Sequence, residues 1–389
     1  MCNVRQPEGL LLLEPDLIDL GGHFFFYATE LARVCSERSI RLVIVARRGL
    51  NDTVRSKLES QGATVEAEFG RIAWFRPALP IPGIRFALTC IAAIRRYPQY
   101  LPVTLSGRVL LIPGAIWVAL AVPGKYVFQV INWQTRPRVS ARIRGSMWMR
   151  YCAGLGYRAG LRYTAESAGY SPLLSKYLGQ KVDPMPTLAS WPPGEPKTEP
   201  PGPKPRVGIL GAARWEKNLA QFVKAATLSP TGYQLVVQDN SGDTKERRRY
   251  SKLVSSITEL STDCEIINGQ LNPLEFRQLL GSLDVTAIPI QPKIAATTAS
   301  GIFTMAVGLG TIPVIPAGSL MAKQAEIENI GVVYDDYSAE GLRRALDYAA
   351  ANRVKLRQDI MALAMQWRRR HDADALLDSI IASSGDCGQ

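Results

Sequence analysis

The chain has 389 residues, 47% of them hydrophobic, and carries a formal charge of +12. That is too long for one ordinary domain and apolar enough for two sizeable cores, which excludes a disordered chain. No apolar run reaches the roughly 18–20 residues of a membrane-spanning helix, and with only His23 and His371 present a histidine-rich metal centre is excluded.

Taken in order, the first apolar segment is 10–13. The acidic Glu14, Asp16 and Asp19 that follow do not suit a signal peptide. A helical pattern over 24–37, a strand at 42–46, a helix near 53–61 and a strand at 64–68 come next. Apolar runs recur at 109–112 and 126–131, and 162–166 is the last strand candidate of this half. Residues 184–205 hold nine prolines, a composition that forms neither helix nor central strand and reads as an extended, semi-rigid linker. Beyond it lie strand 206–210, helix 219–228, strand 234–238, helix 245–260, strand 264–267, helix 273–283 and strand 285–290. A small-residue helix starts at Ser300-Gly301 and stops at Gly310, strand 312–315 follows at once, and the tail from 339 to 383 is mostly helical with a basic break at Arg368-Arg369-Arg370.

Alternation of this kind predicts an α/β fold of two doubly wound, Rossmann-like domains with parallel sheets. The expected boundaries are 1–190, a linker at 191–205, a second domain at 206–365, and a C-terminal helix at 366–389 that packs back on the first domain. Ligands of such sheets sit at the carboxyl ends of the strands, which points to a cleft between the two domains. The charge is unevenly placed: residues 1–190 hold 24 Lys/Arg and 12 Asp/Glu, whereas 191–389 hold 22 of each. A basic half beside a neutral one implies that one domain faces an anionic surface or acceptor. The six cysteines (Cys2, Cys35, Cys90, Cys152, Cys264, Cys387) are scattered without a CxxC or a metal spacing, which predicts a reduced, cytoplasmic setting.

Three places carry chemistry. Gly21-Gly22-His23 follows the first strand, where paired glycines let the backbone approach a ligand closely. His23 there either donates to a substrate hydroxyl or phosphate or simply opens the helix. Past strand 206–210 come Arg214 and Lys217, three residues apart before a helix, and two cations at that place can neutralise a diphosphate, Arg as a fork and Lys as a point charge. In 297–318 a polar turn leads into a helix whose first amides, at Ser300, Gly301 and Ile302, have no acceptor in their own helix, a ready anion site.

Together these residues resemble the GT-B glycosyltransferases, and within them the large retaining class of bacterial sugar transferases, family 4. The resemblance rests on the Gly-Gly loop, the proline-rich linker, the Arg-x-x-Lys loop, and Ser-Gly-Ile-Phe leading into Gly-x-x-Pro-Val-x-x-Pro-Ala-Gly. It implies a first domain that binds the acceptor and a second that binds a nucleotide-sugar donor, with Arg214, Lys217 and the amides of 300–302 on the diphosphate. The family also has two glutamates eight positions apart, one facing the reacting sugar and one holding the ribose hydroxyls. Here those positions read Thr297 and Met305, with Thr304 next door. Thr297 can still bond a sugar hydroxyl, but a thioether cannot replace a carboxylate on a ribose. The activity implied is retaining transfer of a sugar to a glycan or lipid-linked acceptor in bacterial polysaccharide or glycolipid synthesis, with no metal and no cofactor beyond the donor. Its charge stabilisation would come from Arg214, Lys217 and the helix amides.

Arg136, Arg138, Arg142, Arg144, Arg150, Arg158 and Arg162 fall in a stretch with no acidic residue before Glu166. Ile143, Met147, Tyr151 and Leu155 recur every four residues beside Trp133 and Trp148. The stretch reads either as an amphipathic segment lying on an anionic membrane surface, which would make the protein peripheral at the inner face, or as a solvated basic face. No nucleic-acid module is recognisable. A different class of function also fits the lost glutamates: a GT-B protein kept as a binding or scaffolding subunit. A sugar epimerase would want more in-cleft histidines and carboxylates than the chain offers, and a nicotinamide-dependent enzyme would want GxGxxG after the first strand.

Overall fold

The computed structural model describes residues 7–20, 22–70, 81–107, 111–122, 124–130, 147–189, 191, 202–211, 217–228, 232–239, 263–296 and 299–385. The chain divides into two compact units, Met1–Leu188 together with Asp372–Gln389, and Ala189–His371. In the first unit the elements run β1 (Gly9–Leu13), α1 (Gly22–Glu37), β2 (Arg41–Arg47), α2 (Asp52–Ser60), β3 (Ala63–Phe69), α3 (Ile81–Arg96), β4 (Leu101–Gly107) and α4 (Ile112–Ala121). There follow β5 (Tyr126–Val130), α5 (Met147–Arg158), β6 (Leu161–Glu166), α6 (Ser171–Leu178) and β7 (Val182–Met185). All described strands pair in parallel, in the order β3-β2-β1-β4-β5-β6-β7, so the winding reverses between β1 and β4. Strands buried on both faces read as continuous apolar runs, and the Leu-Leu-Leu-Leu of β1 is wholly buried.

The second unit runs β8 (Arg206–Ile209), α7 (Leu219–Thr227), β9 (Gln234–Asp239), β10 (Cys264–Asn268), α8 (Pro273–Gly281), β11 (Val285–Ala287) and a short turn of helix α9 (Pro292–Ala295). It continues with α10 (Gly301–Leu309), β12 (Ile312–Pro316), α11 (Leu320–Glu328), β13 (Val332–Tyr334), α12 (Ala339–Ala351) and α13 (Arg353–Arg370). Its sheet is again parallel, ordered β10-β9-β8-β11-β12-β13, with the reversal between β8 and β11. Phe222, Phe303 and Trp367 are fully buried in its core. The last helix, α14 (Ala373–Ser384), belongs to the first unit. Leu376, Leu377 and Ile380 join the core of Leu10, Leu12 and Leu31, and Arg38 at the end of α1 pairs with Asp374 and Asp378 at 2.5 Å each. Asp372 caps this helix by accepting from the Ala375 amide at 2.8 Å. No helix among the described residues is long and apolar enough to cross a membrane.

Several sequence expectations shift. Of the run 109–112, residues 109 and 110 lie outside the described residues and Ile112 opens α4, while a strand that the sequence reading did not name lies at Leu101–Gly107. Pro102, Thr104 and Ser106 hide β4 in the sequence, yet Thr104 is satisfied in the interior by a hydrogen bond to the Tyr126 hydroxyl at 2.7 Å. Residues 162–166 are not the last strand of this half, because β7 follows. It contains Pro184 from the proline-rich run, and as an edge strand it tolerates the missing donor. Of the stripe Ile143, Met147, Tyr151, Leu155, Ile143 lies outside the described residues and Leu155 is half-buried. In α5 the buried residues are Met149, Ala153 and Gly156, while Met147 and Tyr151 are exposed. Residues 136–144 and the helix expected at 245–260 lie outside the described residues. The boundary expected at 365/366 falls inside α13, and the chain returns to the first unit after His371.

Candidate functional site

Two loops at the carboxyl edge of the second sheet are tied by one side chain. Gln238, 4% exposed near the end of β9, accepts from the Gly211 amide at 2.8 Å and donates to the Gly269 carbonyl at 3.0 Å. A single amide therefore ties the loops that follow β8 and β10 to the strand between them. Gly211 has φ +97°, a backbone that favours glycine, and a Cβ there would come within 2.5 Å of Lys217 Nζ and 2.7 Å of Ile302 Cδ1. Close approach and backbone angle both demand the missing side chain. The same distances put the Lys217 ammonium beside the first turn of α10.

Asn218, at φ +50°, turns the chain into α7. Its side chain donates to Gln221 at 2.7 Å and to the Tyr337 hydroxyl at 3.2 Å, and that hydroxyl donates to the Pro289 carbonyl at 2.7 Å. The loops beyond β8, β11 and β13 are thus linked by hydrogen bonds at one edge of the sheet. Ser300 caps α10, its hydroxyl accepting from the Phe303 amide at 3.3 Å. The amides of Gly301 and Ile302 begin the helix, have no acceptor within it, and carry its positive end. An ammonium and a helix start converging beside a glycine loop can hold a phosphate.

The far side of α10 is clamped. Trp367 Nε1 donates to the Thr304 carbonyl at 2.9 Å, Arg368 Nε donates to the Gly308 carbonyl at 2.7 Å, and Phe303 meets the Trp367 ring edge-on. A Cβ at Gly308 would run into the Trp191 ring. Gly308 therefore serves the packing of this helix against Trp191, while Ala306 packs in the apolar cluster of Leu210, Val236, Leu280 and Leu283.

The expected site residues divide as follows. Lys217 Nζ and the Ile302 side chain both lie against Gly211, and Ser300, Gly301 and Ile302 open α10. Met305 is half-buried one turn further along, on an apolar cluster of Leu210, Val236, Leu280 and Leu283, and Thr304 spends its hydroxyl on the Ser300 carbonyl at 3.2 Å. Gly21, Arg214 and Thr297 lie outside the described residues. Gly22 is not a loop glycine but the first residue of α1, with His23 second, because glycine is tolerated where the first amides have no helical partner anyway. No group of three or more His, Cys, Asp or Glu that could hold a metal ion occurs among the described residues.

Sequence reasoning missed two polar groups. Gln238 left only a weak signal, a polar residue closing an apolar strand at its carboxyl end. The other is in the first unit: Glu166, last residue of β6, accepts from the Tyr27 hydroxyl at 3.0 Å, and that hydroxyl in turn accepts from the Leu188 amide at 3.0 Å. Burial pushes the Glu166 carboxyl up to about 7. Nothing in the local sequence joins residues 27, 166 and 188.

No family model and no curated protein matches the chain in sequence. Solved structures do match in shape. A glycosyltransferase from Rickettsia africae ESF-5 superposes with a TM-score of 0.71 at 11% identity, covering 98% of this chain and 100% of its own. Sucrose-phosphate synthase from Thermosynechococcus elongatus gives 0.69 at 13% identity over 96% of this chain and 97% of its own. Anabaena HepE in complex with UDP gives 0.66 at 12% identity over 96% and 99%. At such identities the likeness is one of fold. The parallel sheets, their strand orders and this near full-length overlap with glycosyltransferases establish that the chain has the GT-B fold, two Rossmann-like α/β units in one polypeptide.

Proposed function

We propose that the chain is a glycosyltransferase that moves a sugar from a nucleoside diphosphate to a glycan or lipid-linked acceptor in bacterial polysaccharide or glycolipid synthesis. The observation that carries this reading is that the Lys217 ammonium and the side chain of Ile302, in the first turn of α10, both lie against Gly211. Gly211 lies at the carboxyl edge of the sheet, in a fold whose HepE example holds UDP or UDP-glucose. The bond from the sugar's anomeric carbon to the diphosphate breaks, the acceptor oxygen bonds to that carbon, and the acceptor's proton passes to the departing phosphate. Charge grows on the diphosphate as the bond breaks. Lys217, the α10 amides and Arg214 would stabilise it without a metal ion, and the acceptor's entry on the leaving-group side would retain the anomeric configuration. Thr297 would bond the transferred sugar, and His23 would meet the acceptor side.

Met305 favours a second reading, in which the chain binds a nucleotide or a partner without turnover. Its half-buried thioether on an apolar cluster offers a ribose no acceptor. Thermal-shift measurement of the full chain against UDP, GDP, ADP, TDP and CMP, with Lys217→Ala and Arg214→Ala beside it, tests both. One nucleotide at ~100 times its Kd should stabilise the wild type by about 2.7 kcal/mol and neither variant comparably. Stabilisation with hydrolysis or transfer of the matching nucleotide-sugar supports the enzyme; stabilisation without either supports the binding subunit. No shift with any nucleotide overturns the donor site.

A further inference from the structure

We propose that Arg368 is a positioning residue for the donor's phosphates, a role that rests on the donor site proposed above: its buried charge caps the carboxyl end of α10 and strengthens the hold of that helix's start on an anion. The last four carbonyls of a helix have no partner within it. In α10 those of Ala306 and Val307 receive the Gly310 amide, and Ala306 also receives the Thr311 amide at 2.9 Å. The Gly308 carbonyl is met by a side chain instead, Arg368 Nε at 2.7 Å. Arg368 is only 5% exposed, and its guanidinium lies 5.6 Å from the centre of the Trp191 ring. Trp367, one residue earlier and fully buried, donates to the Thr304 carbonyl. Two bonds from the end of α13 thus fix where the charge sits on α10.

Stability alone does not account for a cation at that place. Carrying a guanidinium out of water is costly, and an apolar chain of similar volume often serves an interior as well or better. What an apolar chain cannot supply is charge. The carboxyl end of a helix carries about half a negative charge, and a cation there offsets it. For an anion at the opposite end, a source of repulsion becomes a source of attraction. Nine residues, at a rise of about 1.5 Å each, put the two ends of α10 roughly 13 Å apart. At the effective dielectric of a protein, two unit charges that far apart interact by an amount worth roughly tenfold in a dissociation constant. Salt screens a buried charge much less than an exposed one. Burial lowers the affinity of Arg368 for its proton, but an arginine starts so far above neutrality that the charge stays. Lys217 at the start of α10 and Arg368 at its end therefore act on the same anion from two directions.

The test is an equilibrium titration of the full chain with the nucleoside diphosphate that stabilises it and with the parent nucleoside, followed by ligand-observed NMR where binding is weak. Arg368→Met fills the space of the arginine, and Arg368→Gln keeps an N–H for the Gly308 carbonyl, but neither carries charge. Melting curves establish beforehand that the variants fold, and either neutral variant suffices for the comparison. Both should bind the diphosphate roughly tenfold more weakly than wild type. Nucleoside binding should be unchanged, since a nucleoside has no phosphate for the charge to act on. Arg368→Lys, which keeps the charge without the planar fork, should recover most of the loss. Diphosphate affinity equal to wild type in the neutral variants overturns the role. So does a loss that the nucleoside shares in full, which would make Arg368 a packing residue, or a lysine variant as weak as the glutamine one. A wild type that binds no nucleoside diphosphate is a different result: there the donor site itself fails, and the role of Arg368 with it.

Discussion

Replacing Gln238 by leucine removes both ends of the amide that ties β8 and β10 to β9. The Gly211 N–H, at a half-buried position beside Lys217 and Ile302, loses its acceptor, and leaving such a donor unmade costs about 1–3 kcal/mol. The Gly269 carbonyl is on an exposed residue, so water takes over and the loss there is about 1 kcal/mol or less. The leucine side chain fills much of the same volume, so the cavity contribution is small. The expected destabilisation of the second unit is therefore about 2–3 kcal/mol, or roughly 4–12 °C in its transition at 2–4 °C per kcal/mol. Calorimetry of the full chain would read the transition, and amide exchange would read Gly211, whose protection should fall. Gln238→Glu supplies the control. Below its own pKa the carboxylic acid again accepts from Gly211 and donates to Gly269, so its deficit should shrink as pH falls. A leucine variant within about 0.5 kcal/mol of wild type, with Gly211 exchange unchanged, would refute the claim that this glutamine ties the two loops.

Glu166→Gln should remove a pH dependence. Burial pushes the native carboxyl up to about 7, above the ordinary glutamate value of 4.5, so it binds its proton more tightly folded than unfolded. Its contribution to stability is present below the unfolded pKa and is lost as pH rises through about 7. Above pH 7 the glutamine variant should match or exceed wild type by up to about 3 kcal/mol, and equal urea midpoints at pH 5 and pH 8 in the wild type would sink the argument. Gly308→Ala should cost about 1–3 kcal/mol despite its better helix propensity, because the new methyl meets the Trp191 ring. Trp191→Leu in the same chain should recover part of that loss, and strict additivity of the two changes would show that they do not touch. Arg38→Ala should cost about 1 kcal/mol or less, because its partners Asp374 and Asp378 are largely exposed. A loss of several kcal/mol in a urea titration would mean that these pairs, rather than the apolar face of α14, hold the C-terminal helix.

The alternation of strands and helices was legible in the sequence for a simple reason. Parallel strands covered on both faces need apolar residues at every position, so 10–13, 42–46 and 312–315 announce themselves without any partner being known. The start of α10 was legible for a similar reason: Ser300 and Gly301 act locally, through one cap and the orphan amides beside it. Lys217 could be read as a cation at a strand end, and Ile302 as part of the same helix start. What escaped were features whose cause lies far along the chain. β4 looks unlike a buried strand until Tyr126 is found to satisfy Thr104. The two bonds of Gln238 reach 27 and 31 residues away, and Tyr27, Glu166 and Leu188 meet across 139 and 161 residues.

The residues of α5 make the distinction sharpest. Spacing alone selected Met147 and Tyr151 as an apolar stripe, and the stripe is real, but periodicity cannot say which side of a helix meets the sheet. Met149, Ala153 and Gly156 are buried, and the large residues are left outside beside those of α4. By itself the sequence determined two parallel α/β units, a basic first half and a helix start fit for an anion, because local propensity, composition and capping act over a few residues. The tertiary structure alone decided which glutamine ties two loops of the sheet edge together, where the returning C-terminal helix begins, and which apolar residues face outward. Those depend on hydrogen-bond partners and packing faces that only the folded chain brings within reach.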